Sequence, residues 1–208
     1  MKYDKVYCIT PAKVGTGTFL HSFNKIKHTI HRHSLEKLKR LLTEETKETY
    51  LIIVGFRKAW EHYISYFFQH YRDNFFNDFK TKKNNYEGEY CLTDIENRSL
   101  SDVLYNWKYK GSYFDWIEEF VEITNIKHFD KENGFSLYNR NNHTIVIYNM
   151  DNINKVINFF ENLLDIKFKK RNINKNKKYL EAKKIPPDED FLNKMKSCEA
   201  YKIFINDE

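Results

Sequence analysis

The sequence predicts one α/β domain over residues 1–208, with a central parallel sheet flanked by helices. Three observations lead there. Two runs rich in β-branched and aromatic residues, 5–10 and 50–56, each pass directly into a stretch with helical apolar spacing. Strands alternating with helices build parallel sheets, because a parallel pair needs a crossover connection. The bulk composition agrees: 208 residues, 41% hydrophobic and 17% aromatic, with only 6 Gly and 3 Pro, suffice for one core and exclude a low-complexity chain.

Strand 5–10 leads into Pro11-Ala-Lys-Val-Gly-Thr-Gly-Thr-Phe-Leu20. A Gly-rich turn between strand and helix aims backbone N–H groups and the positive helix end at one point, which suits a phosphate. Lys13 adds a cation, and Thr16 and Thr18 add hydroxyls. In a nucleoside-triphosphate P-loop the Lys follows the last Gly, whereas here Lys13 precedes Gly15. A Gly-rich turn with no ligand is the other reading of the same residues. The next helix carries Phe19, Leu20, Phe23 and Ile26 on one face. Residues 29–33 read as a short strand, and Ser34 is placed to cap a helix that buries Leu35, Leu38 and Leu42. Strand 50–56 ends at Arg57, and apolar residues at 60, 63, 64, 67, 68 and 71 give the stripe of an amphipathic helix, with Ser65 off it.

Residues 72–98 are dominated by Asn, Asp, Lys and Glu, and read either as a lid or acceptor-recognition loop or as a solvated insertion. Ser112 and Asp115 have the spacing of a capping box, ahead of a helical stripe of Tyr113, Trp116, Ile117 and Phe120. Residues 144–148 form a further strand, and Asp151 is placed to cap a helix bearing Ile153, Val156, Ile157, Phe160 and Leu164. The stretch 167–184 holds nine Lys and Arg residues, a pattern that ordinarily marks a solvated face.

Lys and Arg outnumber acids 35 to 29, a net charge of +6 that suits an anionic ligand. No recognised nucleic-acid motif accompanies it. Cys8, Cys91 and Cys198 are scattered, which favours a reducing compartment and supplies no metal framework. The chain begins almost at once with the loop-bearing strand, without a signal peptide or a membrane-length apolar run, so a cytoplasmic, microbial protein is expected.

Taken in order, these residues resemble the sulfotransferases that use 3′-phosphoadenosine-5′-phosphosulfate (PAPS), in particular the carbohydrate and heparan members. In that family the first strand leads into a P-K-x-G-T-[TS]-like 5′-phosphosulfate loop. This chain differs by Ala12 between Pro11 and Lys13, and by Gly17 where Thr or Ser is usual. The family then carries a strand, an Arg, and a helix with Ser eight positions later, which hold the 3′-phosphate. Arg57 and Ser65 have that order and spacing. A helix spanning eight residues covers about 12 Å, so the Arg side chain must reach for the hydroxyl. The stretch 110–121 is similar to the family's G-x-Y-x-x-x-[LW] helix, and 144–151 loosely matches its Y-E-D-L segment. The basic run 167–184 sits where a loop closes over the cofactor, although R-K-G-x-x-G-D-W-K is absent. The resemblance is specific over 3–71 and holds in outline over 105–164.

It implies a sulfotransferase that moves a sulfuryl group from PAPS to an acceptor hydroxyl, on a saccharide, with no metal required. Lys13 would be the leaving-group cation, Gly15, Thr16, Gly17 and Thr18 would grip the 5′-phosphate, and Arg57 and Ser65 the 3′-phosphate. The base must come from outside the loop. His28, His31 and His33 follow the first helix, and residues 31 and 33 share one face of an extended strand. An imidazole with an ordinary pKa of about 6.5 suits proton abstraction near neutrality. The segment resembles the His-bearing strand of carbohydrate 2-O-sulfotransferases. His33 and His31 are therefore the candidates, His33 first because it stands nearer the strand's carboxyl end, with Glu36 in reserve. Two other classes remain: a nucleotide or small-molecule kinase, against which the Lys order and the missing Mg²⁺ carboxylate count, and a non-catalytic polyanion-binding protein resting on the positive charge.

Overall fold

Parallel strands β1 (Lys5–Ile9), β2 (Thr29–Arg32) and β3 (Tyr50–Phe56) are joined to the antiparallel hairpin β4 (Phe135–Arg140) and β5 (His143–Asn149) in one sheet of order β2-β1-β3-β5-β4. β3 and β5 pair in parallel, so four of the five strands run the same way. The structure, a computed structural model, describes residues 3–11, 14–23, 29–68, 99–106, 112–165, 167–168 and 177–205. Lys13, His28, the expected loop 72–98 and residues 169–176 of the basic run lie outside the described residues.

The central strands are apolar on both sides because both faces of the sheet are covered there, and β3 is buried at every position, whereas edge strands β2 and β4 are partly exposed. Along β1, Val6 and Cys8 point into one core while Tyr7 and Ile9 point into the other. The first core is closed by α1 (Thr16–Phe23) and helix Ile153–Leu164, where Phe19 packs against Phe23, Tyr148 and Phe160. The second is closed by α2 (Glu36–Thr43), α3 (59–68), helix Ser112–Thr124 and the carboxyl-terminal helix Glu199–Phe204. There the Phe56 ring stacks on Phe204 with centroids 4.1 Å apart.

The strand order has a consequence for function. The β1-to-β2 crossover runs through α1 on one face, and the return from β2 to β3 runs through α2 on the other. Neighbours β1 and β3 therefore send the helices that follow them, α1 and α3, to opposite faces. Such a switch point opens a crevice at the carboxyl ends of the two strands, where ligands bind in open α/β sheets.

Several local expectations are corrected. The antiparallel edge strand β4 was not anticipated. It joins β5 through Asn141-Asn142, and Asn141 takes a left-handed φ of 55° that Asn tolerates. Asp151 does not cap the helix after β5. Its own amide is bound by Asn149 Oδ1 at 3.1 Å, in a 3₁₀ turn over Met150–Asn152 that precedes the helix at Ile153. Ser34 accepts the Glu36 amide at 3.2 Å, one residue ahead of the Leu35 cap position. Among the described residues, no helix is long and apolar enough to cross a membrane.

Gly55 in β3 stands opposite Tyr148 in β5, and a Cβ there would lie 2.5 Å from Tyr148 Cζ and its hydroxyl oxygen. The tyrosine crosses β3 at the one position without a side chain. Gly55→Ala is expected to destabilise the fold by about 1–3 kcal/mol through overpacking. Gly17→Ala, whose Cβ meets open space, is the matched control. Urea unfolding midpoints measure both, and an unshifted midpoint for Gly55→Ala would contradict this packing.

Candidate functional site at the carboxyl ends of the parallel strands

In the turn after β1 the Val14 carbonyl faces inward. Tyr148 reaches across Gly55 and donates its hydroxyl to the Val14 carbonyl at 2.5 Å. Burial raises the Tyr148 pKa well above the ordinary phenol value, which keeps that proton in place. The Gly15 carbonyl accepts the Thr18 amide at 3.0 Å. Gly15 itself has a φ of 78°, and a Cβ there would meet Met150 Sδ at 2.6 Å and Ile153 Cδ1 at 2.8 Å. Both the backbone shape and the contact beneath the turn thus call for glycine. Thr10 and Thr16 pair their hydroxyls at 2.8 Å in the interior, bridging the two ends of the turn. Ahead of Thr18, the amides that open α1 have no intrahelical acceptors, as at any helix amino end.

His33 sits at the carboxyl end of β2, beside this turn. Its Nδ1 is 2.8 Å from the Thr10 carbonyl oxygen. A carbonyl only accepts, so Nδ1 carries the proton and the neutral ring keeps its lone pair on Nε2. The residue is exposed, and its own carbonyl accepts the Trp116 indole N–H at 2.8 Å. His31, two residues back, meets the His33 ring edge-on with centroids 4.4 Å apart. Burial, then the neighbouring His33 and Arg32, lowers the His31 pKa to about 4. His31 Nε2 is buried without a hydrogen-bond partner. His31 is therefore uncharged at neutral pH and a weak proton acceptor. Glu36, at the start of α2, is exposed and paired with Arg40 at 3.2 Å.

Arg57 follows β3 directly. Its amide donates to the Tyr113 hydroxyl at 2.8 Å, and that hydroxyl donates back to the Arg57 carbonyl at 2.7 Å. The guanidinium meets Glu61 Oε2 at 2.8 Å and the Tyr179 hydroxyl at 3.0 Å. Burial opposes the charge on Arg57, but Tyr179 and Glu61 outweigh it and raise its pKa. Glu61 Oε1 also binds Lys183 Nζ at 3.0 Å. Burial alone would raise the Glu61 pKa, yet the bonds from Lys183 and Arg57 pull it below the usual carboxylate range. Ser65 lies one helical turn beyond Glu61 and is buried.

The carboxyl ends of β2, β1 and β3 thus carry His33, Thr10 and Arg57 in that order. Sequence reading missed Glu61, Tyr113, Tyr179 and Lys183. Glu61 was legible as an i, i+4 partner of Arg57. The other three are far from Arg57 in the chain, and no local pattern could pair them with it. Thr10 was also missed as the link between the turn and His33, because the contact depends on β1–β2 pairing. Comparison of the chain with protein-family models, curated proteins and solved structures found no match.

Proposed function

We propose that this chain is a PAPS-dependent sulfotransferase whose acceptor is a hydroxyl, on a saccharide. The observation that carries the reading is the row of His33, the turn after β1 and Arg57 along adjacent strand ends at the switch point. Sulfuryl transfer needs three things there: donors and a cation on the phosphosulfate, an anchor for the rest of the donor substrate, and a base for the acceptor proton. The amides of Gly15, Thr16 and Gly17, with the hydroxyl of Thr18, would hold the 5′-phosphate. Lys13 would meet the bridging oxygen, and Arg57 with Ser65 the 3′-phosphate. The acceptor oxygen attacks sulfur, and the bond from sulfur to the bridging oxygen breaks. The electron pair leaves on 3′,5′-diphosphoadenosine, and the acceptor proton passes to His33 Nε2.

A 3′-phosphate at Arg57 would compete with the Glu61 carboxylate for the guanidinium, while Lys183 also binds Glu61. Two results are therefore expected from calorimetry without magnesium. 3′,5′-Diphosphoadenosine binds more tightly than AMP, and Arg57→Ala removes most of that difference, because a charge-assisted contact contributes about 1.5–3 kcal/mol. Glu61→Gln strengthens binding, since the competing charge is gone. Equal affinities for the two nucleotides would end the assignment. Preference for ATP with Mg²⁺ would point to a kinase, and indifference to the nucleoside to a polyanion binder.

A further inference from the structure

We propose that Thr10 is a positioning residue that fixes His33 as the Nδ1–H tautomer, so that Nε2 is the atom presented to solvent and to an acceptor. The part that concerns an acceptor rests on the sulfotransferase reading, while the part that concerns the tautomer stands on geometry alone. Thr10 makes three bonds at the end of β1, two to the end of β2 and one to α1. Its amide donates to the Arg32 carbonyl at 3.1 Å, the last rung towards β2. Its carbonyl accepts His33 Nδ1 at 2.8 Å. Its hydroxyl pairs with Thr16 at 2.8 Å, on the far side of the turn.

The side chain is what holds the carbonyl in line. Thr10 lies past the last residue of β1 and just before Pro11, where ladder hydrogen bonds no longer orient the peptide plane. The buried clasp to Thr16 ties this residue to the first turn of α1, and both threonines are shielded from water. A β-branched side chain has restricted χ1 freedom, so a hydroxyl bound at a fixed point also restrains its backbone. The Trp116 indole holds the His33 main chain from the opposite side. The imidazole is therefore set by two anchors, and only the Thr10 anchor selects which nitrogen bears the proton.

The test uses the full chain with ¹⁵N-labelled histidine, read by long-range ¹H–¹⁵N spectra at a pH of about 9, above the ordinary imidazole pKa of about 6.5. The His33 signals are assigned by their loss in His33→Gln. The wild-type ring is expected to show a protonated Nδ1 and an unprotonated Nε2. Thr10→Val, which keeps the shape and removes the hydroxyl, is expected to lose that preference, and Thr10→Ser to restore it. Thr16→Val breaks the same clasp from the other side and is expected to act likewise, which covers the case in which Thr10→Val does not fold. An Nε2–H wild-type ring overturns the proposal, as does an unchanged Nδ1–H preference in either folded valine variant. Adding 3′,5′-diphosphoadenosine to uniformly ¹⁵N-labelled wild type separates this from the functional reading. Saturable shifts of the Gly15, Thr16 and Gly17 amides support nucleotide binding, and their absence overturns that reading while the tautomer result stands.

Discussion

His33→Ala is expected to lower sulfuryl transfer roughly 10²–10⁴-fold while leaving nucleotide affinity nearly intact, the usual effect of removing a positioned base. The asymmetry follows from where the residue sits. His33 belongs to the end of β2, outside the turn that would hold the phosphosulfate, and its ring is anchored through Nδ1 rather than through a ligand. On the proposed function, its loss would remove the proton acceptor and not a donor-substrate contact. His31→Ala is expected to act through packing, because burial holds that imidazole near pKa 4 and hides its Nε2. Initial rates with labelled PAPS and an acceptor identified by screening measure both variants, alongside calorimetry with 3′,5′-diphosphoadenosine. Full turnover in His33→Ala would move the base to another residue, with Glu36→Gln the next variant to assay.

Lys13→Ala is expected to cost about 10²–10³-fold in kcat, the size of effect seen when one donor to a developing oxyanion is removed. In the sequence, Lys13 stands between β1 and Gly15. Charge grows on the bridging oxygen mainly as its bond to sulfur breaks, so the lysine acts chiefly in the transition state. Nucleotide affinity should fall by much less than kcat. Single-turnover rates with saturating PAPS separate the two quantities. A variant with normal kcat and a raised KM would mean that Lys13 only binds the donor substrate.

Much of this frame was legible along the chain because it is local. The runs at 5–10 and 50–56 became β1 and β3, since apolar, β-branched residues need burial on both faces and a sheet between helices provides it. The helical stripe at 113, 117 and 120 became the buried face of helix Ser112–Thr124, whereas Trp116 turned only partly inward, with its indole on His33. The 135–140 strand was less visible, because an edge strand with half-exposed residues has no continuous apolar run.

By itself, the sequence left β4 and the carboxyl-terminal helices Glu189–Ser197 and Glu199–Phe204 undetermined. It determined β1, β2, β3 and β5 and the helices that follow them, that a Gly-containing turn follows β1, and that an arginine comes directly after β3. These are properties of residues near one another, set by side-chain periodicity and by backbone freedom at glycine. Only the tertiary structure decided that β3 lies on the opposite side of β1 from β2, so that the strand order reverses between β1 and β3. It likewise decided that Tyr148 crosses Gly55 to turn Val14 inward, and that Thr10 selects the proton-bearing nitrogen of His33. Finally, it placed Glu61 against Arg57 and Lys183 against Glu61. Most of these contacts join residues distant in the chain. Their geometry follows from strand order and from packing on both faces of the sheet, which no local pattern encodes.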